Sequence, residues 1–570
     1  AATDFGARTL PQAVRSRTMA PKEMQNGVVD QNGVLWKATS VGKFASIPEP
    51  GVTTIWESLV ASVQKHSDRQ ACGWRTVVKR EMEEGEGGKQ FEKYTLGPYN
   101  WLTYSEYFKT IEAFSTVLIQ KTGLGPKDRM VIFAETQKEW MIAAYAAWRQ
   151  NVTVVTIYAT LGEDGAQHGI EQTKASVVVA DAKLLKVLAG VAAKCKSLKH
   201  VVTITEGAGD SKLSAAGIQL HDMSAMIKEG TGKPVVDPVP PNADDVAIIM
   251  YTSGTTGLPK GVVIPHSAVI GVVAGTLSKG AILSNDVRAL DETDVYLAYL
   301  PLAHIMELAV EVTLFYRGLA VGYGSPHTLT PTSVKMKQTE PPQQGDAQAL
   351  RPTLMVFAPA VLDRVYAGVK AKVAKGSALK QKLFQWALAS GISNYEAGGV
   401  GAWFLYDKIV FANVQALLGG RVRAMLAGSA PLSGDVQKFV QSCFNAPLRQ
   451  GYGLTETCAA TCIATMADNT TGQVGPPQES ACIRLRDWPE GNYLVADKDK
   501  PEIGMMRGEI LIGGPAVCAG YWVDPSKPDK EVEKKNKEDF VVVDGIRYFC
   551  TGDIGQITPS GNLQIIDRKK

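Results

Sequence analysis

Short apolar runs separated by polar stretches recur along most of this chain, and their spacing sets the first expectation about architecture. Arg129–Glu135 and Val152–Tyr158 read as strands, while Lys138–Gln150 between them carries apolar residues at helical spacing. Ser176–Ala180 and His200–Thr205 read as further strands. The texture returns at Leu354–Ala358 and Arg421–Gly428, and Ser433 is placed to cap a helix over Asp435–Phe444. Strands alternating with helical stretches predict an α/β fold: layered sheets in two βαβ-type subdomains spanning residues 51–475.

After residue 475 the texture changes. Gly508–Gly513 and Phe540–Asp544 read as short strands. Gln556–Thr558 and Leu563–Ile566 flank a Pro559-Ser560-Gly561-Asn562 turn, a hairpin signal. This predicts a smaller β-rich subdomain over 476–565, followed by a linker at 566–570. Residues 1–50 are polar, with glycines and prolines near the end, and predict an irregular lead-in. Lys79–Lys93 (acidic, glycine-containing) and Thr330–Gln348 (rich in Pro, Gln and Lys) read as surface insertions, and Lys527–Glu538 as a solvated helix or loop.

A chain of 570 residues exceeds one hydrophobic core, and 45% apolar with 21% charged residues is ordinary for a soluble globular enzyme. The net charge of +3 gives no steering toward nucleic acid, so a substrate must be held by a local site. Eight scattered cysteines without a CxxC pair point to reduced thiols in a cytosolic-type compartment; Cys458 and Cys462 have no partner pair at zinc spacing. On that basis the sequons at Asn151 and Asn469 are accidental. No clean run of eighteen apolar residues exists, the nearest being broken by His304, Glu307, Glu311 and Arg317, and residues 1–50 hold no signal-peptide core.

The chemistry concentrates in Tyr251-Thr252-Ser253-Gly254-Thr255-Thr256-Gly257-Leu258-Pro259-Lys260-Gly261. Backbone N–H groups, hydroxyls and a terminal lysine suit such a loop to phosphate oxygens. Apolar runs Val246–Tyr251 and Gly261–Ile264 place it between two strands. It is not a Walker A loop: Pro259 stands where the glycine before the lysine belongs, and no helix opens directly after. The string resembles the phosphate loop of the acyl-adenylate-forming (AMP-binding) enzymes.

The resemblance covers roughly residues 55–570, with the family's motifs in order. It implies that Thr252, Ser253, Gly254, Thr255, Thr256, Gly257 and Lys260 hold the β- and γ-phosphates of ATP. Leu300-Pro-Leu-Ala-His304-Ile-Met-Glu307 resembles the segment at the acyl pocket, which gives His304 a substrate-positioning role and none as general base. Gly428-Ser429-Ala430-Pro-Leu implies packing against adenine at the edge of the acyl channel. In Gln450-Gly451-Tyr452-Gly453-Leu-Thr455-Glu456, glycines permit close approach, Tyr452 offers a stacking face, Thr455 reaches the α-phosphate and Glu456 is an oxygen ligand for Mg²⁺. Tyr548-Phe-Cys-Thr-Gly-Asp553 matches the family's Tyr-x-Thr-Gly-Asp element with one extra residue; Asp553 accepts the ribose hydroxyls, and Arg568 of Asp567-Arg-Lys-Lys reaches ribose or phosphate. Leu102–Glu106 matches a further motif, and the Gly508–Trp522 match is read as structural.

Within the family, Gly322-Tyr323-Gly324-Ser-Pro, Leu350–Met355, Phe357–Arg364 and Gly97–Trp101 resemble eukaryotic long-chain acyl-CoA synthetases of the plant plastid-envelope and animal endoplasmic-reticulum kinds. The implied substrates are a long-chain fatty acid, ATP and coenzyme A, with Mg²⁺. The implied products are acyl-AMP and pyrophosphate, then acyl-CoA and AMP. The substrate pocket is assigned to His304, Tyr323, Gly324, Ser429 and Gly453. The resemblance also implies a mobile C-terminal domain after the hinge at Lys570, outside this sequence, so the chain alone is expected to bind substrates but turn over poorly. Cytosolic-face association with endoplasmic reticulum, plastid envelope or lipid droplet is expected, through segments not in this chain. Two rivals are a non-catalytic lipid- or nucleotide-binding protein with a vestigial site, and an activator of another carboxylic acid.

Overall fold

A computed structural model describes residues 25–84, 90–205, 209–252, 259–278, 290–399 and 401–569. Three sheets carry the fold. The first has eight strands in the order Gly520–Tyr521, Lys260–Pro265, Val246–Thr252, Thr153–Thr156, Arg129–Phe133, Val177–Ala180, His200–Thr203 and Gln219–Asp222. Its strands from Val246–Thr252 onward are parallel, and the two edge strands before them run antiparallel. The apolar runs read from sequence are these strands.

Period-two alternation explains why this sheet is covered on both faces. Met130 and Ile132 enter the large core shared with the second sheet, whereas Val131 and Phe133 enter a separate core on the other face. Nine of the eleven residues of helix Lys138–Trp148 are buried in the shared core, and the Trp148 indole donates to the Ala247 carbonyl at 2.9 Å.

The second sheet also has eight strands: Cys462–Ile463, Leu448–Tyr452, Ala424–Ala427, Leu354–Phe357, Val295–Ala298, Ala320–Tyr323, Gln70–Glu84 and Gln90–Thr103. Its middle is parallel and both ends are antiparallel. The stretch read as an insertion at Lys79–Lys93 is therefore mostly the outer half of a long hairpin, whose tip at 85–89 lies outside the described residues. Ser433 does stand at the N-terminus of helix Gly434–Phe444, but its side chain makes no capping bond.

The third sheet is antiparallel and contains the expected strands at Arg507–Gly513 and Phe540–Val543; the expected hairpin arm at Gln556–Thr558 is the end of a longer strand, Ile546–Ile557, paired with Leu563–Arg568. It also recruits Gly27–Val29 and Val34–Lys37 from the stretch expected to be irregular. Residues 1–24 lie outside the described residues. All eight cysteines are buried free thiols. No helix among the described residues is long and apolar enough to cross a membrane.

Candidate active site

The parallel strands deliver their functional residues at their carboxyl ends, where α/β sheets place ligands. Strand Ala424–Ala427 ends at Gly428, strand Leu448–Tyr452 ends at Gly453, and strand Val246–Thr252 ends at the phosphate loop. Thr252 and Lys260 are directly paired across the hairpin, so they hold the two feet of that loop. Ser253, Gly254, Thr255, Thr256 and Gly257 lie outside the described residues.

A cavity of about 780 Å³ opens between these ends, and Thr252, Lys260, His304, Gly428, Ser429, Gly451, Tyr452, Gly453, Thr455, Glu456 and Arg568 all line it. Close approach requires glycine at 453 and crowds Gly428. A Cβ on Gly453 would sit 1.5 Å from the Ala459 carbonyl oxygen, and one on Gly428 would sit 3.0 Å from Met306 Sδ. Ser429, next to Gly428, adopts a left-handed φ of 73°, and its hydroxyl lies 3.6 Å from the same sulfur. The turn after Ala427 is thus pressed onto the start of helix Ile305–Tyr316.

His304 stands at the N-terminus of that helix, and its Nδ1 accepts the Met306 N–H at 3.2 Å. Burial lowers its pKa, so the ring is neutral and, with Nδ1 accepting, carries its proton on Nε2. A neutral N–H donor beside the cavity suits the orientation of a carboxylate.

At the polar end, Glu456 is held in a short turn, and the Tyr521 hydroxyl donates to its Oε1 at 2.9 Å. Burial raises the Glu456 carboxyl; the Tyr521 bond and nearby Lys260 oppose this. Lys260 Nζ lies 5.5 Å from the centre of the Tyr521 ring. Its pKa is lowered, first by burial and then by the like charge of Lys535, with Asp539 and Glu456 acting in the other direction. Tyr521, Lys535 and Asp539 also line the cavity. None of the three was singled out from sequence: Tyr521 lay in a segment read as structural and Lys535 in a run read as solvated.

Tyr452 and Asp553 meet across the subdomain boundary, the Tyr452 hydroxyl donating to Asp553 Oδ2 at 2.8 Å. Arg568 Nε is 3.4 Å from Asp553 Oδ1. Burial raises the Asp553 carboxyl, while the Tyr452 bond and Arg568 lower it.

Five of the expected site residues with described positions, Asp553 among them, are not in the cavity lining. Tyr323 and Gly324 do not line the cavity. The Tyr323 hydroxyl instead donates to buried Glu311 at 2.6 Å, and Gly324 packs on Asp346 and Leu297. Gln450 is buried behind the site, its Oε1 accepting the Leu432 N–H at 3.3 Å and its amide donating to Gln437 at 3.1 Å, so it braces the Gly428 turn. Ala430 is exposed and lies off the cavity.

From His304 the cavity continues as an apolar arm between helices His266–Leu277 and Ile305–Tyr316, lined by Val272, Ala309, Val310, Leu314, Met355 and Leu426 among others. A single cavity therefore has a charged end and a hydrocarbon end.

The profile of the AMP-binding enzyme family matches residues 63–522. The chain belongs to this family. Long chain acyl-CoA synthetase 8 of Arabidopsis thaliana is 39% identical over 548 residues, covering 95% of this chain and 73% of the relative. Long-chain-fatty-acid–CoA ligase 2 of Schizosaccharomyces pombe is 35% identical over 551 residues, covering 93% and 75%. Among solved structures, the adenylation domain of a carboxylate reductase from Mycobacterium chelonae superposes with a TM-score of 0.69 at 21% identity, covering 92% of this chain and 74% of that one. A long-chain-fatty-acid–CoA ligase from Archaeoglobus fulgidus gives 0.63 at 17%, covering 93% and 86%. These two likenesses show the fold of an AMP-binding enzyme. Of the expected site residues that line the cavity, Lys260, Thr455 and Glu456 lie inside the matched range and Arg568 lies beyond it.

Proposed function

We propose that the chain is the adenylating part of an AMP-forming long-chain fatty acid–CoA ligase. The observation that carries this reading is that one cavity is lined both by the apolar residues between the two helices and by His304, Lys260, Thr455 and Glu456. Burying an acyl chain contributes about 0.8 kcal/mol per CH₂, so the arm rewards length. Curated relatives named for long-chain acids, at 39% and 35% identity, support the same substrate class.

In the first half-reaction a fatty carboxylate oxygen bonds to the α-phosphorus of ATP and pyrophosphate leaves. In the second, the coenzyme A thiol, giving up its proton, bonds to the acyl carbonyl carbon and AMP leaves. His304 Nε2–H orients the carboxylate. Lys260, with the loop it terminates, takes the charge that grows on the leaving pyrophosphate. Thr455 offers a hydroxyl to the α-phosphate, the Tyr452 ring a face to adenine, and Asp553 with Arg568 a cradle for ribose. Glu456 is the residue that would hold Mg²⁺. Its carboxylate lines the same cavity as Lys260 and Thr455, a donor that suits an ion otherwise held by phosphate oxygens and water. When bound, Mg²⁺ neutralises charge on the triphosphate.

Such an enzyme works where its substrate dissolves, at the cytosol-facing surface of an intracellular membrane or lipid droplet. The deciding experiment is AMP release by the full-length enzyme across saturated acids of increasing chain length. Rising kcat/KM with length supports the reading; a flat or falling series, or no acid-dependent release, refutes it.

A further inference from the structure

Pro359 to Gln415 builds an outer layer over helix Gly434–Phe444. Helices Pro359–Ala374 and Ala378–Glu396, and the turns Asp407–Phe411 and Ala412–Gln415, all pack on that helix. Aromatic pairs fix its inner side: Tyr366 on Phe439 with ring centres 4.7 Å apart, and Phe384 on Phe411 at 5.7 Å.

The outer side is unusual. Leu379, Trp386, Trp403, Phe404 and Ile409 are each more than half exposed. Of the ten tryptophans, Trp386 and Trp403 alone are exposed. Leu379 and Trp386 are seven residues apart on one helix and so share a face. Trp403 packs edge-on against Phe404 and Tyr406, with ring centres 5.3 and 5.5 Å apart, which holds the second aromatic group together.

Charge follows the same layer. Residues 359–415 hold seven lysines and arginines against three acids, a local +4 where the whole chain is +3. Lys372, Lys375, Lys380, Lys382 and Lys408 are exposed, and none forms an ion pair among the described residues.

We propose that this layer is the face by which the protein docks on an anionic lipid bilayer. Clustered exposed apolar side chains mark an interaction surface, and exposed tryptophan is the side chain that favours the membrane–water boundary. Unpaired lysines around them decide the partner. Lysine is depleted at protein–protein interfaces, but each lysine near an anionic leaflet adds attraction. The layer is tied to the acyl path by the chain itself: strand Leu354–Phe357 lines the apolar arm, and helix Pro359–Ala374 starts two residues later. Docking there would set the arm beside the phase that holds fatty acids, a consequence that rests on the proposed substrate class; the docking itself does not.

The test is co-sedimentation of the 570-residue chain with vesicles of phosphatidylcholine containing about a third phosphatidylserine, without ATP or fatty acid. The chain should pellet with these vesicles and much less with phosphatidylcholine alone. The double variant Trp386→Ser/Trp403→Ser and the double variant Lys380→Ala/Lys382→Ala should each weaken partitioning about tenfold, and the lysine variant should also lose salt sensitivity. Unchanged melting temperature and ATP binding show that both variants are folded. No pelleting, or equal pelleting of the variants, overturns the proposal. So does a tryptophan variant that turns a dimer into a monomer in sedimentation velocity, since a second copy would then cover the face. Vesicle binding can succeed while the chain-length series fails, and the reverse, so the two readings fall separately.

Discussion

The Tyr521 hydroxyl donates to Glu456 Oε1 at 2.9 Å, joining residues 65 positions apart in the chain. Tyr521 lies on the antiparallel edge strand that the C-terminal part of the chain adds to the first sheet. Its ring also sits under Lys260. One side chain therefore touches both the cation and the carboxylate at the polar end of the cavity.

Tyr521→Phe keeps that ring and removes only the donor. Losing a hydrogen bond to a charged, buried acceptor costs about 1–3 kcal/mol. The expected result is a fall in kcat of about tenfold or more and a higher Mg²⁺ requirement, with fatty acid KM unchanged. Pyrophosphate exchange in the full-length enzyme, titrated with Mg²⁺, measures it. An unchanged Mg²⁺ curve would show that the contact is incidental.

Burial raises the Glu456 carboxyl, so it takes up a proton at higher pH than an ordinary glutamate. Mg–ATP binding that needs the carboxylate should fall as pH drops through a midpoint above the usual glutamate value. Glu456→Gln should remove that acid limb and weaken binding at every pH. Calorimetric titration with Mg–ATP across pH reads both.

Much of this site was legible because its residues cluster in short motifs whose glycines and charges have little other use. Val246–Tyr251 and Gly261–Ile264 announced the hairpin that carries the loop, since strands of a sheet covered on both faces are nearly continuous apolar runs. What could not be read depends on long-range pairing. Gly27–Val29 and Val34–Lys37 are three and four residues long, too short to show a period, and become strands only by joining a sheet built some 450 residues later. Tyr323 was assigned to the substrate pocket from a segment that resembles long-chain acyl-CoA synthetases, but such a resemblance does not say which face of helix Ile305–Tyr316 it meets. Lys535 sat in a mixed-charge run whose approach to Lys260 no local pattern reveals.

That helix also presents two buried carboxyls away from the acyl arm. Tyr296 donates to Glu307 at 2.7 Å and Tyr323 to Glu311 at 2.6 Å, and the second oxygen of each acid has no partner among the described residues. Burial pushes Glu311 up to about 8, and burial with the neighbouring Glu311 raises Glu307 as well. Folded, the pair keeps protons that the unfolded chain has already released. Stability is therefore unpenalised below the unfolded glutamate range and falls as pH rises from there toward about 8. Glu311→Gln should raise the melting temperature at pH near 8 and flatten its decline from acid to alkaline pH. A steeper decline in the variant would contradict the assignment.

Val310 lines the apolar arm and is only partly buried, its free surface belonging to the cavity. Val310→Phe should shorten the space for the acyl tail. Each excluded methylene forfeits about 0.8 kcal/mol, close to fourfold in kcat/KM. Long acids should lose and shorter ones keep their rates, so the optimum of the chain-length series moves down. A uniform loss at every length would place Val310 outside the acyl path.

His304 does two things at once, and two substitutions separate them. Its Nδ1 accepts the Met306 N–H, the bond that caps helix Ile305–Tyr316, while its Nε2–H faces the cavity. Asparagine is a good helix cap and can replace the first role without supplying a donor at the Nε2 position. His304→Asn should keep the melting temperature yet raise the KM for fatty acid and lower kcat in the adenylation half-reaction. His304→Ala loses the cap as well, at about 1 kcal/mol of stability, so it should show the same kinetic loss with a lower melting temperature. Because burial holds the ring neutral, the wild-type rate should show no histidine limb near neutral pH. A limb there that vanished in His304→Asn would instead make this residue a proton carrier.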